Sequence, residues 1–84
     1  MNRTVCAIFD TAVQAYGQPI FVVAPGQAIR SFVDEVNKIA PDNQLNTHPE
    51  DFELYELCTF DDNTGLFSQT APRLLTRGQD VKTS

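Results

Sequence analysis

The residues equipped for chemistry are few and scattered. His48 is the single histidine, Cys6 and Cys58 are the two cysteines, and glycines 17, 26, 65 and 78 stand isolated. A hydrolytic site needs a base held against a nucleophile and oriented by an acid, and no nucleophile motif accompanies His48. The run Thr47-His48-Pro49-Glu50 reads instead as a helix-capping box with proline inside the first turn. A phosphate cradle needs clustered glycines, and zinc needs close-spaced ligand pairs. Neither pattern occurs, so the reading is no catalytic residue, no metal and no cofactor. Without an export signal, the two cysteines read as reduced, buried thiols in apolar surroundings.

Acids crowd one region, at Glu50, Asp51, Glu53, Glu56, Asp61 and Asp62. Asp61-x-Asn63-x-Gly65 matches the opening of a calcium loop, but the loop's glycine would fall on Leu66 and its bidentate glutamate on Pro72. A turn is the better account. Eleven acids against six bases give a net charge of −5, a field that repels phosphate backbones and anionic lipid. Arg73, Arg77 and Lys82 lie where Asp80 is the local acid, so any nucleic-acid contact is expected there. Tyr16, Tyr55, Phe60 and Phe67 have the chemistry to stack on bases, although core packing accounts for most of them more simply.

The elements that must position these residues follow from pattern. Thr4 to Asp10 and Gln18 to Ala24 have strand composition. The connection from Thr11 to Gly17 suits either a helical turn or a wide hairpin. Ala28, Ile29, Phe32, Val33, Val36, Ile39 and Ala40 recur at helical spacing, and Pro41 stops that helix. Its other face carries Arg30, Asp34, Asn37 and Lys38, whose charges are placed for i,i+4 pairing. A single turn over Pro49 to Phe52 precedes a strand from Glu53 to Phe60. Asp61 to Gly65 then forms a hairpin loop with Gly65 left-handed, and a fourth strand runs from Leu66 to about Gln69.

The expected fold is therefore α+β, a small four-stranded, mainly antiparallel sheet in ββαββ order with one amphipathic helix on one face. Residues 1–71 form the domain and 72–84 a polar, partly basic tail. No stretch reaches the roughly 18 to 20 apolar residues that span a bilayer, which points to a soluble, cytoplasmic protein.

Both faces of the expected sheet are apolar. Val5, Ala7 and Phe9 alternate with Cys6 and Ile8; Leu54, Cys58 and Phe60 alternate with Tyr55 and Leu57. One helix covers one face, so the other needs a second copy of the chain or a folded-back tail carrying Leu74 and Leu75. The expectation is a homo-oligomer whose interface uses Tyr55 and Leu57 with Cys6 and Ile8, or else with Val5, Ala7 and Phe9.

His48-Pro49-Glu50-Asp51-Phe52-Glu53-Leu54-Tyr55, then Thr59-Phe60-Asp61 and Thr64-Gly65-Leu66, resembles the small non-structural protein of gokushoviruses, and the similarity covers most of the chain. The resemblance implies a phage protein made in the host bacterial cytoplasm and absent from the mature virion. Its implied role is non-enzymatic regulation of viral single-stranded DNA synthesis or packaging, through replication or packaging proteins and single-stranded DNA. The rival from another class is a host-directed inhibitor whose acidic surface mimics DNA.

Overall fold

The β-branched, aromatic and small residues from Thr4 to Phe9 build the strand on which the rest is assembled. In the computed structural model, which describes residues 1–83, β1 (Asn2–Asp10) is the second strand of an antiparallel sheet. On one side it pairs with two short pieces, β2 (Ala15–Tyr16) and β3 (Ile20–Val22); on the other it pairs with β4 (Phe52–Asp61), which pairs with β5 (Leu66–Arg77). The expected second strand, Gln18 to Ala24, is present as the shorter β3, starting after Pro19, whose missing N–H cannot serve a ladder; β2 lies in the connection before it. The α+β class and the ββ(β)αββ order stand.

The connection after β1 is a hairpin turn. Gln14 takes a left-handed φ of 59°, its N–H reaches the Asp10 carbonyl at 2.8 Å, and Gly17 N–H reaches that of Ile8 at 2.8 Å. At the other hairpin Gly65 has φ 77°, as its sequence position predicts. Asp61 closes that loop, accepting from Asn63 N–H at 2.9 Å through its carboxylate and from Gly65 N–H at 2.8 Å through its carbonyl.

Helix α1 (Pro25–Val36) turns Ala28, Phe32 and Val36 onto Cys6, Val22 and Leu54, forming the core. It ends at Val36, a turn before Pro41. Ile39, assigned by spacing to the apolar stripe, is 78% exposed. Asn37 and Asn43 account for the early stop. Asn37 caps the helix, and the Asn43 amide donates to the carbonyls of Glu35 and Lys38 at 2.8 Å each, satisfying groups a further turn would have used. The Arg30–Asp34 and Asp34–Lys38 pairs are not among the ion pairs of the described residues.

Helix α2 (Gln44–Thr47) is one turn, and a 3-10 turn at Pro49–Asp51 leads into β4. The turn at Pro49 is as expected, but Thr47 does not cap it. Its hydroxyl donates back to the Asn43 and Gln44 carbonyls instead, closing α2.

β5 overturns the expected end of the fourth strand at Gln69, and the boundary drawn at residue 72 falls inside it. Pro72 is accommodated at an irregularity, since Cys58 pairs with Gln69 and Glu56 with Arg73, leaving Leu57 opposite residues 70–72. An edge strand tolerates proline at such a bulge. Leu74 is opposite Tyr55, Leu75 packs on the core, and α3 (Gly78–Val81) adds Val81 to it. The segment offered as the alternative cover for the second sheet face is thus part of the sheet.

Candidate functional site

Opposite α1, no helix of the described residues covers the sheet. In register, Val5 is paired with Phe21 and Cys58, Ala7 with Tyr55, Phe9 with Tyr16 and Glu53, and Phe60 with Arg3 and Phe67. Directly paired residues share a face, so six of the eight aromatic residues gather on this one. They form two trios. At one end Phe9, Tyr16 and Tyr55 have ring centroids 4.8 to 6.2 Å apart; at the other, Phe21, Phe60 and Phe67 lie 4.7 to 6.2 Å apart. Tilted and edge-to-face geometries are those that ring quadrupoles favour. Val5 and Ala7 are buried between the trios, while Tyr16, Phe21 and Phe67 remain 42%, 48% and 54% exposed. Core packing, expected for most of Tyr16, Tyr55, Phe60 and Phe67, is replaced by ring clusters on the open face, with Tyr55 and Phe60 half-buried and Tyr16 and Phe67 exposed.

A bulge creates this concentration. Cys6 pairs with Glu56 and Val5 with Cys58, so Leu57 is an extra residue and the alternation of β4 changes phase across it. Leu54 faces the helix, whereas Cys58 and Phe60 join Tyr55 on the open side. The regular alternation expected for this strand placed Leu54, Cys58 and Phe60 together.

Of the expected interface residues, Tyr55 is on the open face and Leu57 is at the bulge, half-buried. Cys6 is completely buried under α1 and Ile8 packs against the same core, so these two are on the other side of the sheet. β4 itself is interior, flanked by β1 and β5, which leaves no edge there for a continued sheet. Burial, followed by the charge of Glu56, pushes the Cys6 thiol up to about 11. Tyr55 donates its hydroxyl to Glu53 at 3.2 Å; partial burial and that bond raise its phenol above the ordinary value.

The expected basic site is divided and engaged. Arg73 meets Glu56 at 2.7 Å and Arg77 meets Glu53 at 3.1 Å, both acids lying on the neighbouring strand. Little acid lies near these arginines along the chain, and the acids that engage them arrive by sheet pairing. Glu53 pairs with Phe9 on the open side and Glu56 with Cys6 on the helix side, so the two arginines are also on different faces. Lys82 lies beyond α3 and is half-buried.

His48, Glu50 and Asp51 bring one ligand atom each within 4.8 Å of one another, with His48 Nδ1 at 3.8 Å from Glu50. This is one donor fewer than a structural zinc site uses, and His48 and Glu50 are exposed. Among the described residues no helix is long and apolar enough to cross a membrane. The surface offers binding by ring faces and apolar contact.

No curated protein and no solved structure matched the chain. A family model described as Phage ORF5 protein matches residues 3–81. That span takes in both aromatic trios and all of the sheet but the first residue of β1, and on that match the chain belongs to the Phage ORF5 protein family.

Proposed function

We propose that this phage protein is the small non-structural protein of a gokushovirus-type microvirus, acting without catalysis in the host bacterial cytoplasm. Its role is to regulate viral single-stranded DNA synthesis or packaging. The run from His48 to Leu66 supports the viral assignment, and the phage family supports its setting. The open aromatic face supports action by contact, because it presents six rings with balanced local charge: Arg77 is engaged by Glu53 and Arg3 by Asp62 at 3.2 Å. Such a surface suits replication or packaging proteins first and stacked bases second, since a single-strand groove ordinarily adds free cations.

The test is a pull-down from infected cells with the parent chain and a Tyr16→Glu, Phe67→Glu double variant. The parent should retain a replication or packaging component that the variant loses. Recovery of no such component and no nucleic acid by the parent would sink the regulatory role.

A host-directed inhibitor is the second reading. Arg3, Arg73 and Arg77 all lie beside acids, so the uncompensated surface charge is negative. Expression of the chain alone separates the two: growth arrest or loss of one host activity favours the inhibitor.

A further inference from the structure

β5 is an edge strand of twelve residues, and among the described residues no strand pairs with its outer side. An unpaired edge presents a row of N–H and C=O groups that template another strand, and proteins block it with proline, charge or a bulge. β5 has all three devices, but only from residue 70 on: the irregularity over 70–72, Pro72 and Arg73. The stretch Leu66-Phe67-Ser68-Gln69-Thr70-Ala71, regularly paired up to Gln69, has neither charge nor proline and is exposed throughout.

We propose that the edge of β5 over residues 66–71 pairs antiparallel with the same segment of a second copy, making a two-fold dimer with one continuous sheet. Three observations favour a second copy over other occupants. The segment is uncharged in a chain of net charge −5, so its own copy meets it without charge opposition, whereas a polyanion does not. Antiparallel pairing centred in 66–71 also sets the loop holding Asp61 and Asp62 alongside the partner copy's Arg73. Arg73 binds Glu56, and Asp62 binds Arg3 and the N-terminal ammonium, yet 63% of the Arg73 side chain and 30% of the Asp62 side chain stay exposed, so a further charge contact can form between copies. Finally, pairing on the edge leaves the aromatic face open on one side of the joined sheet, so the dimer would present two such faces together. This inference is independent of the regulatory reading, because strand pairing requires no phage or host component.

The test uses the full chain in sedimentation and light scattering over concentration. The parent should run as a dimer of the 9.4 kDa chain at tens of micromolar. Gln69→Lys, which sets like charges near the two-fold axis, should raise the dimer dissociation constant at least tenfold while the melting curve at low concentration stays parental. Ser68→Lys is the second variant should Gln69→Lys fail to fold. Amides of residues 66–71 should gain exchange protection with concentration, and Arg73→Ala should weaken the dimer several-fold. A parent that stays monomeric at hundreds of micromolar overturns the proposal. So does a dimer indifferent to both lysine variants but lost on Tyr16→Glu, which would mean that the aromatic faces pair instead.

Discussion

Gly78 lies flat against the backbone of Pro49, so closely that a Cβ at position 78 would sit within bonding-clash distance of the Pro49 carbonyl oxygen. The contact joins the start of α3 to the 3-10 turn that precedes β4, and it requires glycine for space. Gly78→Ala should therefore destabilise by roughly 1 to 3 kcal/mol, the range of overpacked sites that must shift backbone. Gly26→Ala, in the first turn of α1 with nothing within 4 Å, is the matched control and should be neutral or slightly stabilising. Urea unfolding of the two variants compares them directly.

Phe32 is 3% exposed at the centre of α1, against Cys6, Val22 and Leu54. Phe32→Ala should cost about 3 to 5 kcal/mol, a large share of what so small a domain has. Near-parental thermal stability would show that α1 does not face the sheet through this residue.

The Cys6 thiol provides a pH signature. Its pKa is raised in the folded chain from 9.0 to about 11, so the folded state holds the proton over an interval where the unfolded chain has lost it. The contribution is whole below about pH 9 and declines as pH rises toward 11, by at most about 2 to 3 kcal/mol. The stability difference between the parent and Cys6→Ala should narrow over that interval. A constant difference from pH 8 to 11 would show the thiol to be solvated.

Arg73→Ala and Arg77→Ala should each cost no more than about 1 kcal/mol, as exposed ion pairs do. With both guanidiniums engaged, the triple Arg73→Ala, Arg77→Ala, Lys82→Ala variant should alter the salt slope of any single-stranded DNA binding by less than one. Three free phosphate contacts would change it by about two, and a binding curve at several salt concentrations decides between them.

The sequence made much of this architecture legible where local chemistry decides it. The α1 stripe through Ala28, Phe32 and Val36, the left-handed Gly65 and the apolar character of both sheet faces are all plain in residue types and spacing. What it concealed depended on pairing partners. Leu57 looks like one more alternating apolar residue until β1 shows it to be the extra one at a bulge. Pro72 reads as a strand terminator until β5 shows a bulge absorbing it. Arg73 and Arg77 look unopposed until β4 brings Glu56 and Glu53 beside them. Asn37, expected on a solvated face, in fact donates to the Val81 carbonyl at 3.0 Å and accepts from Thr83 N–H at 2.6 Å, and so ties residues 81–83 to the end of α1.

The β4–β5 hairpin has no buried residue from Thr59 through Ala71. That stretch is retained by ladder bonds and a trio of rings, while the remainder is anchored by the helix-covered core. Stability is consequently graded along the hairpin: its tip can open as a separate cooperative unit, at a fraction of the free energy that releases Leu54 or Cys6. Amides near Phe67 should thus exchange by local opening, insensitive to mild denaturant, whereas those near Leu54 exchange only by whole-chain unfolding. A partner strand laid along the tip would erase that gradient, because the same ladder groups would then be held from both sides.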